Sequence, residues 1–137
     1  VITIFQVFSK CEKLAHSNLK KYFYFVRNDS IVRSEFNSRK MDYVYNCEKI
    51  LNEAKTSYEE LIPAAQSRLL WACFHIWVNI NDRKKYREEY EKVLDIIKKS
   101  RKVVFLNKKV QMRNKIVIIL SYFGWKVSRG VYCYMAK

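Results

Sequence analysis

Glycine and proline are nearly absent from this sequence. Its 137 residues include only two glycines, Gly124 and Gly130, and one proline, Pro63. So few helix-breaking residues, together with abundant Lys, Glu, Leu and Ile, predict long helices and few tight turns. The same scarcity excludes glycine-rich phosphate loops, because neither G-x-G-x-x-G nor a Walker sequence can be written here. We therefore expect no complete nucleotide-binding domain in this chain.

Groups that could carry catalysis or hold a metal are also sparse. The four aspartates, at positions 29, 42, 82 and 95, are isolated and form no Asp-x-Asp pair. The pairs Glu59-Glu60 and Glu88-Glu89 point about 100° apart on a helix, so they are expected to be solvated or capping groups. The two histidines lack a ligand partner at metal spacing, and His75 is expected to be a core histidine. We predict no catalytic residue and no metal site.

Neither a cysteine pair nor a long apolar run is present. Cysteines at 11, 47, 73 and 133 form no C-x-x-C motif, which favours reduced, mostly buried thiols in a cytosolic protein. The start lacks the features of a signal peptide. The longest uncharged run, Leu69–Asn81, is shorter than the about 20 residues that cross a bilayer.

Hydrophobic periodicity predicts helices along most of the chain. Residues 2–15 carry apolar side chains at three- and four-residue spacing, which is typical of an amphipathic helix. Aromatic and β-branched residues at 21–27 predict a short strand, and the turn signal 28–30 follows it. Another helix is expected from near Ser38. Its inner face is expected to contain Met41, Val44, Tyr45, Leu51 and Ala54.

The middle of the chain contains the most apolar helix. Ser57-x-x-Glu60 has the form of a capping box, which predicts a helix start there. The helix is expected to run to about Ile80 and to kink at Pro63. From Leu69 onward its residues are apolar almost all round, which indicates the buried centre of a bundle.

Three more helices are predicted in the second half. Asn81-Asp82 is expected to cap a charged helix ending near Ser100, and helices are expected at about 108–123 and 125–135. Together these patterns predict a mainly α fold, a bundle of five or six helices with one short β-strand near the N-terminus.

Negative charge is missing from the last third of the chain. No Asp or Glu follows Asp95, whereas residues 96–137 contain 11 Lys or Arg, most of the formal net charge of +14. Aromatic and aliphatic residues alternate with these cations. Such a pattern fits an interfacial helix on an anionic membrane, the solvated outer face of a bundle, or a nucleic-acid surface. The predicted membrane-surface residues are Lys108, Lys109, Arg113, Lys115, Trp125, Lys126 and Arg129.

Residues 21–42 carry a resemblance to a known family. Tyr22-x-Tyr24, then Arg27-x-x-Ser30-Ile31, then a helix start at Ser38 resembles the exit from the catalytic domain of bacterial family 2 glycosyltransferases. Residues 2–11 look like the last helix of that domain. Residues 68–71 and 115–135 look like the family's C-terminal helices, so the resemblance spans nearly the whole chain.

The resemblance implies a division of the chain. Residues 1–36 would be the tail end of a GT-A catalytic domain, and residues 37–137 a C-terminal helical bundle with a basic amphipathic tail. Val1, without a Met or an N-cap before the apolar pattern, fits a segment that begins within a domain; a trimmed small protein is the alternative. The metal-holding Asp-x-Asp and the base of the family have no match here. The chain alone is therefore expected not to transfer sugar, and the divalent metal and nucleotide-sugar are expected in the missing N-terminal domain.

The resemblance also implies a substrate contact. At the matching positions Arg27, with Ser30, would lie near the donor or acceptor phosphate, which a guanidinium binds through paired hydrogen bonds. The alternative is that Arg27 pairs with Asp29 and that Ser30 shapes the turn.

Partners and location follow from the same likeness. The expected partners are the chain's own catalytic domain and an anionic membrane surface, with the protein cytoplasmic and peripheral to the inner face of the cytoplasmic membrane. The apolar face of residues 2–27 offers a surface for a homodimer. The alternative function is a stand-alone basic helical module that binds nucleic acid or protein.

Overall fold

A computed structural model describes residues 2–19, 35–107, 110 and 112–135. Within these ranges the chain forms six α-helices, two short 3₁₀ turns and no strand. The predicted mainly α fold is confirmed, and the predicted strand at 21–27 lies outside the described residues. The helices are α1 (Ile2–Phe8), α2 (Asp42–Ser57), α3 (Ile62–Asn79), α4 (Arg87–Leu106), α5 (Met112–Tyr122) and α6 (Trp125–Met135).

Helix α3 is the centre of the bundle. It packs against α2 and α4 along its length and also contacts α5 and α6. Leu70, Phe74 and Trp77 are at most 2% exposed, as the apolar pattern from Leu69 onward predicted. Burial of such side chains stabilises the fold by about 1.5–3 kcal/mol each. Helices α2, α4, α5 and α6 therefore take their positions from contacts with α3.

The start of α3 differs from the prediction. Ser57 is the last residue of α2, and a 3₁₀ turn, Glu59–Leu61, separates the two helices without a side-chain cap. Pro63 lies in the first turn of α3. Proline is favoured there because its missing N–H would have no partner within the helix, so no kink is required. The predicted capping box and the predicted kink are both wrong.

The N-terminal helix is shorter than its pattern indicated. α1 ends at Phe8, and residues 11–19 are all exposed. A short helix that buries none of its residues is marginal in water, which explains why the periodicity up to residue 15 does not continue the helix. The ring of Phe5 contacts Tyr58 edge-on, with 6.1 Å between ring centroids.

The inner face of α2 differs from the prediction at one residue. Met41, Val44 and Ala54 are buried as expected, but Tyr45 is 41% exposed. Cys47 takes the inner position, because residues three and seven apart lie on the same face of a helix.

The charged helix α4 begins later and ends later than predicted. Asp82 accepts hydrogen bonds from the backbone N–H groups of Lys84 and Lys85 at 3.1 and 3.0 Å, and so caps the turn before the helix. The helix then runs from Arg87 to Leu106. Gly124, with φ of +83°, makes the turn between α5 and α6, as the sequence indicated.

Candidate functional site

Exposed apolar side chains are concentrated near the C-terminus. Of the seventeen large hydrophobic residues exposed in the described part of the chain, ten lie between residues 103 and 134. We call these ten the C-terminal surface. They are Val103, Phe105, Leu106, Met112, Ile116, Ile119, Tyr122, Phe123, Val127 and Tyr134.

An open groove of about 450 Å³ runs between α4 and α5 within this surface. Its walls are mostly apolar, and two cationic side chains, Arg101 and Lys102, lie at its margin. The remaining lining residues are Phe105, Leu106, Ile118, Ile119 and Tyr122. The groove therefore combines exposed hydrocarbon with positive charge.

The turn between α5 and α6 forms an aromatic projection beside this groove. Tyr122 is 67% exposed and Phe123 is 66% exposed. Because Gly124 reverses the chain immediately after them, two large side chains are presented together at the end of the bundle.

Arg101 on α4 forms hydrogen bonds to the end of α5, next to this turn. Its Nε donates to Oγ of Ser121 at 3.0 Å, and a terminal nitrogen donates to the Ser121 carbonyl at 2.7 Å. The guanidinium carbon also lies 4.1 Å from the centre of the Tyr122 ring. Hydrogen bonds from a charged donor to the buried Ser121 fix the position of the turn.

A pair of arginines flanks the turn on its α6 side. The guanidinium carbon of Arg83 lies 4.0 Å from the centre of the Trp125 ring, and that of Arg129 lies 4.9 Å from it. The indole itself is fixed, because its N–H donates to the Trp77 carbonyl at 2.8 Å. Both contacts are within the range of cation–π attraction.

Helix α6 is joined to the central helix by a polar pair. The Tyr132 hydroxyl lies 2.6 Å from Nδ1 of His75. Burial raises the pKa of Tyr132, and burial together with nearby Lys40 lowers the pKa of His75. The tyrosine therefore remains a proton donor and the imidazole remains neutral, which is the combination that makes this hydrogen bond. His75 is half-buried and not in the core itself, but its ring has the protein partner that was expected.

Positive charge on this end of the bundle has little internal compensation. Lys99 pairs with Asp95 at 2.6 Å. Within the described part of the chain, none of Arg101, Lys115 and Arg129 has a carboxylate within ion-pair distance. Since no acidic residue follows Asp95 in the sequence, these half-buried cations have no neighbouring carboxylate on their own helices to neutralise them.

The predicted site residues are only partly assembled by the fold. Lys115, Trp125, Lys126 and Arg129 belong to α5 and α6, and Lys126 is exposed. Trp125 is only half-exposed and uses its indole N–H inside the protein, so Tyr122 and Phe123 are the more accessible aromatics. The predicted residues Arg27, Ser30, Lys108 and Lys109 lie outside the described residues, as does the side chain of Arg113.

Sequence reasoning missed Arg83 and Arg101 as parts of this region. Arg83 lies in the turn before α4, far along the chain from Trp125, and only the packing of α4 and α6 on α3 brings them together. Arg101 is one of several cations on α4, and no local pattern distinguishes it.

Other features of the described residues offer less chemistry. No three His, Cys, Asp or Glu side chains in these ranges converge to hold a metal ion. An open groove of about 880 Å³ along α2 mixes carboxylates with amines, and one of its carboxylates, Glu48, is engaged by Lys92 at 3.1 Å. Among the helices that the structure describes, none is both long and apolar enough to cross a bilayer.

Comparisons with protein-family models, with curated proteins and with solved structures found no match to this chain. The candidate site is therefore defined by its own residues, which are exposed apolar and aromatic side chains interspersed with cations on α4, α5 and α6.

Proposed function

We propose that this chain docks on the anionic surface of a membrane through its C-terminal surface, as the C-terminal helical region of a bacterial family 2 glycosyltransferase. The enzyme would use the docked region to hold its catalytic domain near a lipid-linked acceptor at the cytoplasmic face. The observation that carries the docking role is the concentration of exposed apolar side chains where acidic residues are absent.

The composition of this surface suits the headgroup layer of a bilayer. Tyrosine and phenylalanine at the α5–α6 turn can bury their rings among the upper acyl chains, while lysines such as Lys102 and Lys126 remain in water. Each cation near an anionic leaflet contributes about 1 kcal/mol, so several together support reversible binding. The two exposed aromatic rings add apolar contact to this electrostatic attraction.

The glycosyltransferase part of the proposal rests on the resemblance of residues 21–42. It assigns the metal, the nucleotide-sugar and the catalytic base to the enzyme's preceding domain, and the phosphate contact of Arg27 and Ser30 to the boundary between the two domains. Its test is the mass of the native polypeptide that contains this sequence. A polypeptide extended by a GT-A domain before residue 1 supports the proposal, and one without such a domain contradicts it.

The docking role is tested by co-sedimentation of the chain with phosphatidylcholine vesicles, with and without phosphatidylserine. A phosphatidylserine content of about 30% gives the vesicles a negative surface potential. We expect binding only to the anionic vesicles, and weaker binding as salt is added. Changing both Tyr122 and Phe123 to Ser should weaken binding about tenfold or more.

Matched controls separate docking from general effects. Changing Tyr45 and Leu61 to Ser removes an exposed aromatic and an exposed aliphatic side chain from the α2 side of the molecule, and this variant should bind like the wild type. K126E should bind more weakly than K55E, which changes the charge equally on α2. Equal effects of both members of either pair would contradict the proposed surface. Tight, salt-sensitive binding to duplex DNA without vesicle binding would favour the nucleic-acid alternative instead.

A further inference from the structure

We propose that Arg83 and Arg129, held on the indole of Trp125, form a binding site for the phosphate of a lipid headgroup. The inference rests on the proposed docking function and adds a preference for phosphate over other negative charges. It arises from three residues that lie in different parts of the chain and meet at the start of α6.

Two cationic groups beside one indole repel each other, and an anion bound between or beside them offsets that repulsion. Within the residues that the structure describes, neither Arg83 nor Arg129 has an ion pair or a hydrogen bond to a protein acceptor. Each guanidinium therefore keeps its N–H donors for an external ligand. Attraction to the ring keeps the two guanidinium carbons 4.0 and 4.9 Å from the centre of the same indole, with Arg83 also 5.4 Å from the Tyr90 ring, and it uses none of their N–H donors.

The ring that organises the two arginines is itself rigid. Trp125 is anchored by its hydrogen bond to the Trp77 carbonyl, and Trp77 is 2% exposed in the core of the bundle. A ligand that binds both guanidiniums consequently binds a preorganised pair rather than two independent surface side chains.

Phosphate is the anion that this arrangement suits best. Its oxygens accept paired N–H bonds from a guanidinium, and a tetrahedral phosphate has enough oxygens for two guanidiniums at once. A single carboxylate offers only two oxygens. Phe123, whose ring is exposed, precedes Trp125 by only two residues, so we expect a phosphate bound here to lie at the depth of the headgroups when that ring enters the bilayer.

The test compares two vesicle types with the same zeta potential, made in a phosphate-free digalactosyl diacylglycerol carrier. One contains phosphatidic acid and the other contains oleate. We expect the wild-type chain to bind phosphatidic acid vesicles about tenfold more tightly than oleate vesicles. A tenfold difference corresponds to about 1.4 kcal/mol, which is the size of one additional charge-assisted hydrogen bond. The double variant R83K/R129K keeps both charges but loses the planar, paired donors. It should bind both vesicle types equally, at the level of wild type on oleate.

Each outcome decides the inference. Equal binding of the wild type to both vesicle types overturns the phosphate site and leaves the docking function standing, whereas no binding to either overturns both. Retained phosphate preference in R83K/R129K also overturns the site. A control variant, K49R/K55R, makes the reverse exchange of lysine for arginine at two positions on α2 and should leave the preference of the wild type unaltered. Finally, calorimetric titration with inorganic phosphate distinguishes the source. Saturable binding without vesicle binding would overturn the assignment to lipid.

Discussion

The hydroxyl of Tyr132 lies 2.6 Å from Nδ1 of His75 and connects the last helix of the bundle to its central helix. The contact joins residues on α6 and α3, and the Tyr132 ring also packs edge-on against Phe74 at 6.3 Å between centroids. The base of the C-terminal surface is thereby attached to the core. Any role of α6 at a membrane depends on this attachment.

Removing the Tyr132 hydroxyl should destabilise the fold. Y132F leaves the ring in place but deprives the half-buried imidazole of its partner, which costs about 1–3 kcal/mol. Urea denaturation followed by circular dichroism measures the change. Y134F is the matched control, because Tyr134 is on the same helix and 83% exposed. Equal midpoints for the two variants would show that the His75 contact does not stabilise the protein.

Stability should also fall in mildly acidic solution because of His75. Its pKa is lowered in the folded state, by burial first and by Lys40 second, below the usual value of 6.5. The unfolded chain therefore takes up a proton first as the pH decreases. The contribution of the neutral imidazole to the free energy of unfolding is fully present above pH 6.5. It is lost as the pH falls toward the lower pKa of His75 in the folded protein.

The measurement compares urea midpoints at about pH 7.5 and about pH 5.5, on either side of the ordinary histidine pKa. H75Q should lose part of the pH dependence, whereas H16Q, at an exposed position, should keep it. If H75Q retains the full decrease, other groups cause it and the assignment to His75 is wrong.

Two leucines should separate folding from docking. Leu70 is fully buried in α3, and L70A should cost about 2–5 kcal/mol because it leaves a cavity. Leu106 is 68% exposed at the edge of the apolar groove, so L106A should change stability by less than about 0.5 kcal/mol. In vesicle co-sedimentation L106A should nevertheless bind more weakly than the wild type. A stable L106A protein with unaltered binding would exclude this part of the groove from the docking surface.

The four thiols should fall into two classes. Cys11 and Cys133 are exposed, whereas Cys47 and Cys73 are buried, and burial raises the pKa of both buried thiols. The thiolate is the reactive form, so a disulfide reagent should modify two cysteines of the native protein and all four in urea. C11S/C133S should show no fast-reacting thiol. Rapid labelling of that variant under native conditions would contradict the burial of the other two.

Much of the fold could be predicted because its core helix is strongly patterned. The apolar residues from Leu69 to Ile80 identified α3 as the centre, and Gly124 identified the last turn. Boundaries were less predictable. Ser57 is the last residue of α2, so its side chain does not begin a new helix as the capping pattern predicted. Helix α1 ends early because the residues that would continue it are exposed and gain no packing contacts.

The candidate site could be predicted only in outline. The absence of acidic residues after Asp95 indicated a cationic end, and the aromatics there indicated an interface. Which aromatics are exposed depends on packing, since Trp125 is engaged with Trp77 whereas Phe123 is not buried. The partnership of Arg83 with Trp125 depends on tertiary structure alone, because no sequence period relates the two positions.

Depth-dependent quenching by brominated lipids tests the central claim most directly. Tryptophan is introduced at the α5–α6 turn as F123W or, as a control in the 3₁₀ turn between α2 and α3, as L61W; both positions are exposed. On anionic vesicles with bromine on the upper acyl chain, the emission added by F123W should be quenched and that added by L61W should not. Equal quenching of the two probes, or none at position 123, would contradict docking through the C-terminal surface.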